Sequence, residues 1–182
     1  AYVPNQGDGW AFTLDYLQRF IEERSALAGE PVPPDVHGAY LHLAQTLGTR
    51  VAQLHLALAM PTDDSAFGAQ AMAPGELPEL VASVRRAATQ ALDFLQERAG
   101  KLPEDARAAV AALLASRERL IERIERCARL EGTLLKSRLH GDLHLGQVLL
   151  ARNDFLIIDF EGEPERPIGE RRRKQSPLRD VA

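Results

Sequence analysis

The most informative part of this chain runs Leu139-His140-Gly141-Asp142-Leu143-His144-Leu145-Gly146-Gln147 and resumes at Ile158-Asp159-Phe160-Glu161. Two short apolar runs separate the halves. Val148-Leu149-Leu150 is the first, and Phe155-Leu156-Ile157-Ile158, rich in β-formers, is the second. Ala151 to Asp154 reads as a four-residue turn, which makes a β-hairpin. A hairpin sets its two ends side by side, so Gln147 and Asp159 should converge. Asp142 lies five residues before Gln147 and seventeen before Asp159. Two oxygen donors beside a third carboxylate suit a hard cation such as Mg²⁺, with waters and phosphates completing an octahedron.

Asp142, held just outside the metal, is suited to accept a hydroxyl proton, and this division of labour is that of phosphoryl transfer. The order His140-Gly141-Asp142, Gln147, then Asp159-Phe160-Glu161 resembles the catalytic loop and metal motif of the aminoglycoside-phosphotransferase-like kinases, which share the protein-kinase fold. That family has Asn where this chain has Gln147, and protein kinases have Gly where it has Glu161. The strings HGDLHLGQVLL, IIDFEGEP and RRRKQSPLRDVA look more narrowly like bacterial maltokinases, which occur alone or fused to trehalose synthase. VPNQGDGWAFTLDYL is similar to the interlobe linker and first C-lobe helix of those enzymes.

The resemblance implies an α+β, mainly α, C-lobe of the protein-kinase-like fold. Residues 1–10 would be the interlobe linker and 11–131 a helical region. Residues 132–165 would hold the catalytic loop, hairpin and metal motif, and 166–182 the start of a C-terminal part. It implies transfer of the ATP γ-phosphoryl group to maltose, giving maltose 1-phosphate. Asp142 would be the catalytic base, and Gln147 and Asp159 the Mg²⁺ ligands. Val3 and Gln6 would offer linker backbone to the nucleotide. His144, Glu161, Glu163 and Arg171 are the candidate sugar contacts. The other partners implied are an N-lobe of the same chain and a fused trehalose synthase domain.

Composition narrows the classes. The chain has 182 residues, a formal net charge of −4 and a pI near 5.8. It does not bind nucleic acid through bulk charge. With 45% hydrophobic and 26% charged residues it has ordinary globular usage, which excludes wholesale disorder. A single cysteine, Cys127, forms no intrachain disulfide and fits a reducing, cytoplasmic home. No apolar run approaches the roughly 18 residues of a membrane span, and no signal peptide is evident.

Outward from the motif, the pattern is helical. Leu14, Leu17, Phe20, Ile21 and Leu27 mark a first helix that Gly29 and Pro31 end. Ala44, Leu47, Val51, Leu54 and Leu58 mark a second, with Asp35 placed to cap it and Pro61 to stop it. Leu80, Val84, Ala88, Ala91 and Leu95 predict the buried stripe of a third. Pro103 starts a fourth that runs on to Leu130 and pairs antiparallel with the third. Ser176-Pro177 marks a further helical start.

Bland alternatives apply to single residues. His140 reads as a brace for its loop. His144 is a solvent-facing residue or a substrate contact. His55 is a satisfied, half-buried histidine, and His37 and His42 belong to the surface. Arg171 to Lys174 is a solvated face, or else supplies a partner for phosphate, Glu161, Glu163 or Glu165. The three lysines, Lys101, Lys136 and Lys174, lie outside any early strand pattern. The nucleotide-covering lobe is therefore expected to be missing, with Ala1 and Ala182 as cuts through a longer chain, and the 182 residues alone are expected to be inactive. Two rivals remain: a kinase for another small alcohol, and a non-catalytic scaffold that keeps the motif as a relic.

Overall fold

The computed structural model describes residues 3–27 and 29–181. They divide into two compact units. Ala71–Leu134 forms one, and the remaining described residues form the other, which carries the motif.

In the motif-bearing unit, helix α1 covers Gly9–Ala26 and helix α2 covers Gly38–Leu58. Asp8 caps α1, its Oδ1 accepting the Ala11 amide at 2.8 Å. Asp35 does not cap α2 with its side chain. The helix begins three residues later, and the Asp35 carbonyl accepts from the Gly38 amide. Aromatic side chains join the two helices. Tyr16 stacks on Tyr40 at 4.4 Å, Phe12 stacks on Tyr40, and Phe20 meets the His37 ring at 4.8 Å. His37, expected on the surface, is therefore half-buried and bonded to the Tyr16 hydroxyl.

The predicted hairpin is present. Its strands, Val148–Ala151 and Asp154–Ile157, run antiparallel, with Val148 opposite Ile157 and Ala151 opposite Asp154. The turn is two residues long, not four. Arg152 and Asn153 both have positive φ, 55° and 59°, as in the tight turns that match strand twist. Val148, Leu150 and Phe155 form the buried core here, and Phe12, Leu43, Leu47 and Leu143 pack against it. Arg50 on α2 grips the far end of the hairpin through two 2.7 Å hydrogen bonds to the Asp154 carboxylate.

The second unit holds α3 (Glu76–Arg98), α4 (Glu104–Ala115) and α5 (Arg117–Arg126). The predicted fourth helix is thus broken at Ser116, whose hydroxyl turns back to the Ala112 carbonyl. The antiparallel partner of α3 is α5. Arg85 pairs with Glu125 at 2.8 Å and Asp93 with Arg117 at 2.7 Å. The buried face of α3 is centred on Val81 and Leu92, whereas Leu80 and Val84 are 43% and 46% exposed. The apolar stripe chosen from spacing is rotated by about one residue. Among the described residues, no helix is long and apolar enough to cross a membrane.

Candidate active site

The hairpin ladder continues one step past its strands. The Ile158 amide donates to the Gln147 carbonyl at 2.9 Å. Both flanking side chains are thereby fixed at the open end, where Gln147 Nε2 donates to Asp159 Oδ2 at 3.0 Å. Asp159 has φ +63°, left-handed backbone that costs a non-glycine residue about 1–3 kcal/mol and is held only where neighbours over-determine it.

Those neighbours belong to the loop that carries Asp142. His140 is 1% exposed. Its Nε2 lies 2.7 Å from the Ile158 carbonyl, and its Nδ1 accepts from the Asp142 amide at 3.3 Å. The two bonds together assign the Nε2–H tautomer. One imidazole thus ties the residue before Asp159 to the backbone of Asp142, which is the brace expected of it. The Phe160 ring packs on the His140 ring at 5.0 Å. Gly141, with φ +84°, lies so close to the next loop that a Cβ there would stand 3.6 Å from the Gly162 Cα. The loop of Asp142 and the loop of Asp159 are in direct contact.

One residue that sequence reasoning passed over, together with His55, completes this framework. Asp180, whose side chain is 1% exposed, accepts the His140 and Gly141 amides at 2.9 Å each and lies 3.0 Å from His55 Nε2. His55 is the satisfied histidine that its helical position suggested. Asp180 left no local signal, because its partners lie 39, 40 and 125 residues away. It falls in the short turn Pro177–Asp180, at the helical start predicted from Ser176-Pro177.

The remaining candidates divide by what they touch. Asp142 is partly buried, and Glu161 and His144 are exposed. His144 caps the turn Leu145–Gln147, its Nδ1 accepting the Gly146 amide at 3.0 Å. Glu163 is engaged by protein: Arg166 binds its carboxylate and Arg179 donates to Oε2 at 3.0 Å. The Arg166 hydrogen bond, seconded by the charges of Arg166 and Arg179, holds its pKa below the ordinary 4.5. Arg171 donates to the Arg166 carbonyl at 2.8 Å and the Pro164 carbonyl at 3.3 Å, and Lys174 to the Phe67 carbonyl at 2.7 Å. Arg166, just outside the Arg171–Lys174 run, is the arginine that meets Glu163 from this side.

Val3 and Gln6, the linker candidates, already meet protein groups. The Gln6 amide donates to the Leu150 carbonyl at 2.8 Å, and the Leu150 amide to the Gly7 carbonyl at 3.0 Å. Asp8 also bridges to Leu149. Residues 6–8 are therefore bound along the edge of the hairpin, and the Gln6 N–H is occupied there. The Val3 carbonyl accepts from the Asn5 side chain at 3.0 Å.

Among the described residues, no group of three or more His, Cys, Asp or Glu is placed to hold a metal. Gln147 and Asp159 nonetheless fit Mg²⁺. Asp159 is exposed and its Oδ2 takes the Gln147 Nε2–H, so the Gln147 amide would turn over to bring its Oε1 to a shared ion; this ion keeps waters and takes phosphate oxygens instead of filling a protein cage.

No protein-family profile matches the chain. Two curated proteins are similar along its whole length. The glucosamine kinase of Streptacidiphilus jiangxiensis is 28% identical over 181 residues, and that of Mycolicibacterium smegmatis (strain ATCC 700084 / mc(2)155) is 29% identical over 181 residues. The chain spans only 35% and 38% of their lengths. Two solved glucosamine kinase structures, one in complex with glucosamine, ADP and inorganic phosphate and one in crystal form B, match all of this chain and 37% of theirs. Each gives a TM-score of 0.61 at 24% identity. The mostly helical α+β fold is that of part of a kinase. These relatives are named for glucosamine, not for maltose.

Proposed function

We propose that this chain is the catalytic-loop part, the C-lobe, of an ATP-dependent sugar phosphotransferase. The observation that carries the proposal is the 3.0 Å meeting of Gln147 and Asp159, with the loop of Asp142 tied to the same place through His140. Asp142 orients the acceptor hydroxyl and takes its proton as the new O–P bond forms. The bond from the γ-phosphorus to the bridging oxygen breaks, and ADP departs with that electron pair. Gln147, through its Oε1 once the amide turns over, and Asp159 would hold Mg²⁺, which when bound would neutralise phosphate charge. His140 and Asp180 keep the backbone of the Asp142 loop in one conformation, so less reorganisation remains for the reaction. His144 and Glu161 are the exposed polar side chains nearest in sequence to Asp142 and Asp159. They are the sugar contacts this reading keeps, because Glu163 and Arg171 already bind protein groups.

We assign glucosamine as the first acceptor to test, on the names of the relatives, and maltose as the second, on the motif strings. A basic run such as Arg171–Lys174 disfavours an ammonium-bearing acceptor through like-charge repulsion. That objection weakens because Arg171 and Lys174 donate to backbone carbonyls. Because the chain spans only 35% and 38% of its kinase relatives, these 182 residues by themselves are expected to turn over no ATP.

The test is sugar-dependent ADP release by the full-length protein that contains this chain, with ATP, Mg²⁺ and each of glucosamine, maltose and glucose. Glucosamine should give the highest kcat/KM. Asp142→Asn should lower kcat by roughly 10²–10⁴-fold with folding intact. A folded full-length protein that no sugar stimulates, or whose D142N variant works as well as wild type, overturns the proposal in favour of the scaffold.

A further inference from the structure

Arg179 and Asp180 are consecutive, and they reach different halves of the site. Asp180 holds the His140 and Gly141 amides. Arg179 holds Glu163, four residues beyond Asp159, and its Nη1 is steadied by Gln175 Oε1 at 2.6 Å. Between Asp159 and Glu163 the chain passes through Gly162 at φ +74°. There a Cβ would stand 3.3 Å from the Arg171 Cβ. The segment is pressed between the Gly141 loop on one side and Arg171 on the other, and its far end is held by side chain at Glu163 and through the Pro164 and Arg166 carbonyls, which Arg171 binds. The Arg166 amide closes a turn there, donating to the Glu163 carbonyl at 3.0 Å. Arg166 lies on the same local segment as Glu163. Arg179 is the partner that comes from the turn bound to the Asp142 loop.

We propose that Arg179 and Glu163 are positioning residues, a clasp that fixes the Asp159 loop relative to the Asp142 loop and thereby the alignment of metal and base. Neither touches the reacting atoms. The inference rests on the phosphotransfer reading above for its catalytic consequence, but its geometric content stands apart from that reading. Arg179→Ala and Glu163→Gln should each lower kcat by roughly tenfold or more and raise the Mg²⁺ concentration for half-maximal rate, with sugar KM nearly unchanged. The double variant should lose less than the sum of the two single losses, since the changes share the Arg179–Glu163 contact while Glu163 also meets Arg166 and Arg179 also meets Gln175. A purely structural pair would lower the melting temperature and leave the Mg²⁺ requirement unmoved.

A second measurement requires no turnover. Amide hydrogen exchange on the full-length protein that contains this chain should show the Arg166 amide, which closes the turn on the Glu163 carbonyl in the 159–166 segment, exchanging at least tenfold faster in Arg179→Ala. The His140 and Gly141 amides, held by Asp180, should keep their protection. Unchanged exchange of the Arg166 amide overturns the clasp even if the protein is an active kinase. Faster exchange in a wild type that transfers no phosphate supports the clasp and overturns only the proposed function. If both segments lose protection together, Arg179 acts on the whole turn, and the specific inference fails.

Discussion

Replacing Asp180 by Ala should be among the most damaging single changes in the motif-bearing unit. The carboxylate is almost wholly buried and takes three hydrogen bonds, from the His140 amide, the Gly141 amide and His55. Hydrogen bonds to a charged acceptor contribute about 1.5–3 kcal/mol each, and orphaned buried donors add their own desolvation cost. Removing one member of a buried charged network typically costs about 3–5 kcal/mol. That is a large share of the roughly 5–15 kcal/mol that holds a domain folded. At about 2–4 °C per kcal/mol for a chain of this size, the melting temperature should fall by roughly 6–20 °C. Asp180→Asn keeps the volume and one acceptor oxygen but turns an amide N–H₂ towards a backbone donor, so it should lose about 2–3 kcal/mol. The lone Trp10 lies on α1, within the unit that carries the site. Its fluorescence during urea unfolding therefore follows the relevant transition. A loss below about 1 kcal/mol in Asp180→Ala would refute the hub assignment, because two buried amides would then have found other acceptors.

Two further outcomes follow from local geometry. Gly9 is buried where α1 meets the turn before the hairpin, and a Cβ there would stand 3.1 Å from the Leu145 carbonyl oxygen and 3.6 Å from that of Val148. Gly9→Ala should destabilise by about 1–3 kcal/mol through overpacking, read from the same unfolding curves, and a neutral result would show that α1 can retreat without cost. Asp154 has a pKa held below its ordinary 3.8, first by the Arg50 hydrogen bond and then by the Phe155 amide, and Glu163 is shifted the same way by Arg166. A depressed folded-state value means that the stabilisation is complete above the unfolded carboxyl value, near pH 4, and is lost as pH falls through the folded value. Acid unfolding of Asp154→Asn should therefore be shallower below about pH 4 than that of wild type, with the two curves parallel at neutral pH; identical acid limbs would show that the pair is screened away.

The pairing of Gln147 with Asp159 depends on one hairpin alone, and that is a short-range consequence of pattern. Two apolar runs separated by Arg152 and Asn153 can fold back only one way, and their ends must then meet. His140 as brace and the helical start at Ser176-Pro177 were legible for the same reason: each depends on neighbours within a few tens of residues. Spacing was less able to place helix faces. The stripe on α3 came out rotated, because several apolar positions offer nearly equal faces and packing chooses among them. The break at Ser116 was likewise hidden inside a continuous apolar pattern.

The amino-acid sequence by itself determined the hairpin, the order of the chemistry-bearing residues around it and the mainly helical class. Tertiary structure alone decided that Asp180 and His55 anchor the Asp142 loop, that Arg179 reaches Glu163, and that residues 6–8 lie along the hairpin edge with the Gln6 amide occupied. The physical reason is range. Local contacts follow from backbone geometry and side-chain period, whereas a buried carboxylate between partners 39 and 125 residues away has an identity but no address until the chain is folded.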